Sequence, residues 1–210
     1  MSQYRTILVD PPWPMNTAGS YVGNGREKVK RDLPYSTMSL AEIEALPVGQ
    51  LAETGAHLWL WTVNQFLEAA LELVPKWGFK RLNMITWAKP SGFGNWWIQN
   101  TEFLIFAYRQ RCQFNGQRYI PNFYEWAEDE SEVLPITQTP VDLSYKWPRA
   151  KNGQHSKKPE GSYKLIESVS DPARIELFAR DHQPLLGPRP DWHVWGNQIN
   201  STINLEEFAQ

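Results

Sequence analysis

Four consecutive residues near the start of the chain, Asp10-Pro11-Pro12-Trp13, combine groups that could bind a flat ligand. The Asp10 carboxylate only accepts hydrogen bonds, the prolines stiffen the backbone and leave the Pro11 carbonyl as an acceptor, and Trp13 offers a stacking face. Two acceptors beside an aromatic ring suit a planar base with an exocyclic amino group. A strand end followed by a proline-rich turn would explain the same residues structurally, so the motif alone leaves both interpretations open.

The elements around this motif predict an α/β fold with a mainly parallel sheet, because strand and helix patterns alternate along the chain. Strands are predicted at 4–9, 56–62, 81–88, 102–108, 174–179 and 192–195, and helices at 39–46, 64–77 and 160–168, with one helical turn at 205–208. The first strand should end at Asp10, since the two prolines cannot donate to a sheet. Ligands of open α/β sheets bind at the carboxyl ends of the strands, which is where this motif falls.

Alternation along 174–180 places Ile175, Leu177 and Ala179 on one face of the predicted strand. Glu176, Phe178 and Arg180 then share the other face. Residues 89–100, rich in glycine and tryptophan, are predicted to form a loop.

Length and composition exclude several classes of protein. The 210 residues predict a single domain over 1–210, with loop elaborations at about 14–38 and 110–154. A single cysteine, Cys112, cannot form an intrachain disulfide or a zinc site made of cysteines alone. The net charge of −2 argues against a uniformly basic nucleic-acid binder. No apolar stretch approaches the roughly 20 residues that span a bilayer, so we expect no membrane segment.

Charge runs indicate where phosphates could bind. Basic clusters at 26–31 and 146–158 could contact a nucleic-acid backbone, whereas the acidic run at 125–132 is expected to be a solvated loop. Neither G-x-x-x-x-G-K-[ST] nor G-x-G-x-x-G occurs, which argues against an NTPase or a classical dehydrogenase.

Taken together, the motifs resemble the MT-A family of N6-adenine methyltransferases over about residues 4–199. The shared blocks are, in chain order, Asp10-Pro11-Pro12-Trp13, Pro34-Tyr35-Ser36-Thr37-Met38-Ser39, Trp77-Gly78-Phe79, Trp87-Ala88-Lys89, Gly92-Phe93-Gly94, Glu102, His155-Ser156-Lys157-Lys158-Pro159, Glu176-Leu177-Phe178-Ala179-Arg180 and Trp195-Gly196-Asn197-Gln198. The short length is similar to that of bacterial or phage members.

The resemblance implies a Rossmann-like fold with helices on both sheet faces, S-adenosylmethionine as the methyl donor and S-adenosylhomocysteine as the product. It implies a catalytic motif of Asp10, Pro11, Pro12 and Trp13, with Tyr35, Lys89 and Glu102 at the substrate and no metal. The implied cofactor contacts are Asp10, Lys158, Glu176, Arg180, His182, Gln183, Asn197 and Gln198. Lys158 would hold the cofactor carboxylate and Glu176 and Arg180 the ribose hydroxyls, while Trp13 and Tyr35 would enclose the base.

Two departures from the family pattern affect the cofactor pocket. Family members often have Asn where this chain has Gln183. Some relatives also place an Asp-Ile pair before the first strand, whereas only three residues precede Tyr4 here. Another segment must therefore close that side of the pocket.

The expected partner is nucleic acid, with DNA placed before RNA. The alternative from another functional class is a catalytically silent subunit that only binds nucleic acid. The loops at 14–38 and 110–154, a homodimer or a partner subunit would supply target specificity. We expect a protein without membrane contacts in the cytoplasm of a bacterial cell or a phage-infected host.

Overall fold

The structure is a computed structural model that describes residues 4–15, 36–93, 97–110, 114, 119–125, 158–180, 189, 191–197 and 199–208. Its strands are β1 (Tyr4–Val9), β2 (Ala52–Val63), β3 (Lys80–Phe93), β4 (Gln99–Tyr108), β5 (Phe123–Tyr124), β6 (Arg174–Leu177) and β7 (Trp192–Trp195). They form one sheet in the order β5-β3-β4-β2-β1-β6-β7. β4 pairs antiparallel with β2 and β3, and the other pairings are parallel. The predicted α/β class with a mainly parallel sheet is confirmed.

Helices cover both faces of this sheet. α1 (Leu40–Glu44), α2 (Val48–Leu51) and α3 (Leu67–Lys76) pack on one face, and α4 (Glu160–Val169) packs on the other. Single 3₁₀ turns occupy Asn64–Phe66 and Leu205–Phe208. A capping box starts α1, because Ser39 and Glu42 hydrogen-bond reciprocally.

Strand alternation decides which side chains reach the α4 face. On β1, Ile7 and Val9 are buried among the residues of α1–α3, whereas Leu8 is buried among those of α4. On β2 and β4, Trp61 and Leu104 likewise pack on the α4 side. Side chains at even-numbered positions of β1 and β4 therefore face α4. On β2 near Trp61, the side chains at odd-numbered positions face α4.

Four predicted strand boundaries are wrong by two residues or more: the end of β6, the end of β3, the start of β4, and the start of β2, which begins at Ala52 and not at 56. β6 ends at Leu177 because Phe178 has a left-handed φ of 67°, which stops the alternation. Phe178 therefore packs with Trp195 against the α1–α3 cluster and does not share the face of Glu176. The predicted loop at 89–100 is also shorter than expected, since β3 runs on to Phe93 and β4 begins at Gln99, each continuing to pair with the other.

Candidate active site

The sheet order brings the two ends of the chain together at one edge. Because β1, β6 and β7 are parallel neighbours, their carboxyl ends lie side by side. The Asp10 amide donates to the Leu177 carbonyl at 3.3 Å, and the Ala179 amide donates to the Trp195 carbonyl at 3.0 Å. Motifs separated by more than 160 residues of sequence therefore meet.

A cleft of about 250 Å³ opens at this edge. It is lined by Asp10, Pro12, Ser36, Phe178, Ala179, Arg180 and Asn197. The cleft thus combines the predicted catalytic Asp10 with two predicted cofactor contacts, Arg180 and Asn197. Their convergence matches the edge at which open α/β sheets bind ligands.

Four charged side chains alternate in sign beside the cleft, in the order Lys89, Glu102, Lys158 and Asp10; we call them the charge ladder. The Lys158 Nζ atom lies 3.0 Å from Asp10 Oδ1 and 3.1 Å from Glu102 Oε2. Lys89 pairs with the other oxygen of Glu102. The side chains of Lys158 and Glu102 are each only 10% exposed, so water screens these attractions weakly.

Four segments position the charge ladder, because Lys89 lies on β3 and Asp10 follows β1. Glu102 pairs with Trp87 across β3 and β4, and Lys158 lies just before α4. Two tryptophans lie beneath the cations: the Lys158 ammonium is 5.2 Å from the Trp61 ring centroid, and the Lys89 ammonium is 5.1 Å from that of Trp87. Cation–π attraction adds to the ion pairs.

Burial and charge act against each other in the ladder. Burial would raise the pKa of Glu102, but attraction to Lys158 and Lys89 outweighs it and lowers that pKa to about 2. Burial likewise would lower the pKa of Lys158, yet the carboxylates of Asp10 and Glu102 raise it above the usual value. Lys158 therefore stays charged.

The pKa of Asp10 shifts in the opposite direction to that of Glu102. Burial raises the pKa of Asp10 and repulsion from Glu102 adds to the rise, while Lys158 and Arg180 oppose it without cancelling it. Lys158 is thus the main group that favours the ionised form of Asp10.

The structure adds partners to three residues that the sequence placed at the site. Lys158, predicted to hold the cofactor carboxylate, lies between Asp10 and Glu102. Lys89 and Glu102, predicted as substrate contacts, join the same ladder. No sequence pattern indicated that these groups pair, because the pairing depends on tertiary contacts between β1, β3, β4 and the segment before α4.

Two expectations about the Asp10-Pro11-Pro12-Trp13 motif need correction. The Pro11 carbonyl is not a free acceptor, since it accepts from the Trp13 amide at 2.8 Å. Trp13 does not present an open stacking face: it is 5% exposed, its ring stacks on Phe66 at 5.4 Å, and its Nε1 donates to the Trp61 carbonyl at 3.2 Å. The apolar surroundings of Phe66 give this indole a better environment than the cleft does, so we assign Trp13 a structural role.

Glu176 lies on β6 facing α4 and is 5% exposed. Its Oε1 accepts a hydrogen bond from the Tyr163 hydroxyl at 2.9 Å. Sequence reasoning missed Tyr163 and Trp61 as contributors to the site. Tyr163 lies in the first turn of the helix predicted at 160–168, five residues after Lys158, and this position is a signal that could have indicated it.

Several predicted contacts fall outside the described residues. These are Tyr35, His182, Gln183 and Gln198, the basic cluster at 26–31, the basic cluster at 146–158 apart from Lys158, and the acidic run at 125–132 apart from Glu125. Their roles stay predictions from the sequence.

Within the described part of the chain, no group of His, Cys, Asp and Glu side chains could hold a metal ion. No helix among the described residues is long and apolar enough to span a membrane.

Comparison with known proteins identifies the family. The MT-A70 family model matches residues 4–119, a range that includes both Asp10 and Glu102. A probable N(6)-adenosine-methyltransferase MT-A70-like protein of Oryza sativa subsp. japonica is 24% identical over 99% of this chain and 24% of the relative. The human N(6)-adenosine-methyltransferase catalytic subunit METTL3 is 23% identical over 98% of this chain and 30% of its own length.

A second human relative, the N(6)-adenine-specific methyltransferase METTL4, is 26% identical over 98% of this chain and 39% of its length. The chain therefore spans between about a quarter and two fifths of these relatives. MT-A70 methyltransferases take S-adenosylmethionine as the methyl donor. With more than half of its length matched by the family model, and with Asp10 and Glu102 inside that match, the chain belongs to the MT-A70 family.

Proposed function

We propose that this protein transfers a methyl group from S-adenosylmethionine to the N6 amino group of adenine in nucleic acid. The observation that carries the proposal is the Asp10 carboxylate held 3.0 Å from Lys158 Nζ, in the cleft that Arg180 and Asn197 also line. Membership of the MT-A70 family supports the reaction class.

The side chains around the cleft fit the proposed cofactor. The cleft presents a guanidinium (Arg180) and a carboxamide (Asn197). A buried carboxylate, Glu176, lies on β6 two residues before Phe178, which lines the cleft. These groups suit a ligand with ribose hydroxyls and an amino-acid end. We assign Glu176 and Arg180 to the ribose hydroxyls and Asn197 to the ribose and adenine. The bound cofactor supplies an electrophilic methyl group on a sulfonium sulfur.

Lys158 is compatible with a role toward both Asp10 and the cofactor. An ammonium carries three donors, and Asp10 and Glu102 take two of them. We assign the third donor to the cofactor carboxylate, which the family resemblance also implies. The same lysine would thereby tie the position of the catalytic carboxylate to that of the cofactor.

Asp10 and the Pro11 carbonyl would act on the amino group of adenine. This amine is a weak nucleophile because its lone pair is delocalised into the ring. Each acceptor takes one N–H bond, and the Pro11 oxygen can do so with the lone pair that the Trp13 amide leaves available. The nitrogen lone pair then points away from the ring plane toward the cleft.

The ionised Asp10 also stabilises the product side of the transfer. The new N–C bond forms as the S–C bond breaks, so positive charge develops on the nitrogen. A carboxylate preorganised by Lys158 faces that charge in a poorly solvated site. The methylated ammonium then loses its proton to water and needs no strong general base.

We propose DNA as the substrate, with RNA as the alternative. The names of the relatives give adenosine or adenine as the target and leave the nucleic acid open. The basic clusters at 26–31 and 146–158 would bind phosphates, and the loops at 14–38 and 110–154, a homodimer or a partner subunit would select the target. Within a duplex, the adenine would have to leave the base stack to reach Asp10. A cytoplasmic location stays part of this proposal.

The test is a product assay on unmethylated DNA and on RNA with S-adenosylmethionine, followed by digestion to nucleosides and mass spectrometry. We expect N6-methyldeoxyadenosine from the wild type and none from Asp10→Ala. Asp171→Ala is the matched control, because Asp171 is also ion-paired, 2.6 Å from Arg5, but precedes β6 at the opposite edge of the sheet. A product that survives Asp10→Ala contradicts the mechanism. Product on RNA alone selects the alternative substrate, and absence of cofactor binding favours a silent subunit.

A further inference from the structure

Tyr163 lies on α4 directly behind Glu176. Its hydroxyl donates to Glu176 Oε1 at 2.9 Å, and the two side chains are buried. Burial raises the pKa of Tyr163 well above its ordinary value, and the Glu176 carboxylate raises it further. The tyrosine therefore keeps its proton and remains the donor of this hydrogen bond.

The ring of Tyr163 is held on two sides. The Arg189 guanidinium lies 4.2 Å from the ring centroid, and Trp192 meets the ring edge-on at 5.7 Å. Arg189 pairs with Glu160 and, at 2.9 Å, with Glu167, the residues one turn before and after Tyr163 on α4. Trp192 Nε1 also donates to Glu167 at 2.9 Å. These contacts restrict Tyr163 to one rotamer.

We propose that Tyr163 is a positioning residue, which fixes the Glu176 carboxylate so that it accepts hydrogen bonds from the ribose hydroxyls of the methyl donor. This inference rests on the proposed function, in which Glu176 contacts that ribose. A carboxylate has about four acceptor positions, so it can accept hydrogen bonds from more than one donor group. Neither Tyr163 nor Glu176 is among the residues that line the cleft, but Glu176 lies only two residues before Phe178, which does. Tyr163 therefore acts through Glu176.

The test measures ligand affinity by calorimetric titration of the whole chain, with no dependence on turnover. Two probes are compared, S-adenosylhomocysteine and its analogue that lacks both ribose hydroxyls. Tyr163→Phe keeps the ring against Arg189 and Trp192 and removes only the hydroxyl. Tyr4→Phe is the matched control. Tyr4 is also a buried tyrosine, its hydroxyl forms a hydrogen bond with His193 Nδ1 at 2.6 Å, and it does not line the cleft.

We expect Tyr163→Phe to bind S-adenosylhomocysteine about tenfold more weakly, the effect of one lost hydrogen bond to a charged group. The analogue should bind equally well to Tyr163→Phe and the wild type, and Tyr4→Phe should match the wild type with both probes. An unchanged affinity for S-adenosylhomocysteine overturns the proposal, and so does an equal loss with both probes, which would indicate a merely structural effect.

Two further measurements separate the failure modes. If Tyr163→Phe does not fold, Arg189→Lys replaces it, because this variant loosens the Tyr163 ring and leaves the hydroxyl in place. A loss of affinity for S-adenosylhomocysteine alone supports the proposal. No loss of affinity, or an equal loss for both probes, overturns it. Glu176→Gln reports on the proposed function. A wild type that binds neither probe overturns both proposals, whereas binding that depends on Glu176 and not on Tyr163 overturns the positioning role alone.

Discussion

Gly196 approaches Ala179 so closely that a β-carbon on Gly196 would lie 2.4 Å from the Ala179 carbonyl oxygen and 3.1 Å from its amide nitrogen. The Ala179 amide also donates to the Trp195 carbonyl at 3.0 Å. This backbone contact joins the ends of β6 and β7 and brings Asn197 to the same cleft as Arg180. A glycine is required at 196 because the two main chains are too close together to leave room for a β-carbon.

Gly196→Ala should therefore weaken cofactor binding by about tenfold or more, because the added methyl group must push the end of β7 away from Ala179. Titration with S-adenosylhomocysteine measures the loss, and a thermal melt shows whether the fold survives. Gly55→Ala is the matched control, since nothing lies within 4 Å of a β-carbon at that glycine. Wild-type affinity in Gly196→Ala would show that this contact does not shape the cofactor site.

Lys158→Met should both lower activity and move its pH dependence. Without the ammonium, the pKa of Asp10, already raised by burial, rises further, so the carboxylate ionises only at higher pH. We expect turnover to fall by about a hundredfold near neutral pH, and its acidic limb to shift toward alkaline pH. A pH–rate profile with the nucleoside assay measures both effects.

The control for Lys158→Met is Lys76→Met, which removes a lysine from an exposed pair with Glu44 at 2.7 Å. Exposed pairs contribute little, so this variant should keep the wild-type profile. If Lys158→Met and the wild type show the same acidic limb, Lys158 does not govern the ionisation of Asp10.

Much of the fold follows from local sequence patterns. The sequence patterns at 4–9, 39–46 and 64–77 each predicted an element that the structure contains, namely β1, α1 and α3. Asp10, Arg180 and Asn197, which the likeness to one methyltransferase family assigned to the site, line one cleft. These features are short-range, or are carried by motifs that keep their order along the chain.

What the sequence could not predict depends on tertiary contacts. The alternation that placed Phe178 beside Glu176 failed, because a single positive φ ends β6. The aromatic surface of Trp13 was expected to face a base, yet Phe66, 53 residues later, occupies it. Contacts between residues so distant in sequence leave no periodic signal, so spacing alone does not predict them.

Trp13→Phe tests the structural role of that indole. Phenylalanine preserves ring contact with Phe66 and loses the hydrogen bond from Nε1 to the Trp61 carbonyl. We expect the free energy of unfolding to fall by about 1–3 kcal/mol, with turnover of the folded protein within about threefold of the wild type. Denaturant titration and the nucleoside assay measure the two quantities. Undiminished stability with strongly reduced turnover would restore a base-stacking role for Trp13.

Acid stability should depend on Glu102, because its pKa falls from 4.5 in an unstructured chain to about 2 in the fold. Between these values the unfolded chain binds the proton more readily than the folded one. The stabilisation by ionised Glu102 is therefore complete above about pH 4.5 and is lost as the pH falls toward about 2. The shift sets an upper limit of about 3 kcal/mol for this loss. Asp10, whose pKa is raised, partly opposes the trend.

In Glu102→Gln, the free energy of unfolding should accordingly decline less between about pH 5 and pH 2. The variant should be less stable than the wild type at neutral pH, because Lys89 and Lys158 lose their shared partner. Denaturant titrations at several pH values give the slope. Glu68→Gln is the control, since Glu68 lies exposed on α3 and should leave the slope unchanged. Equal slopes in Glu102→Gln and the wild type would mean that the two lysines do not hold Glu102 ionised in acid.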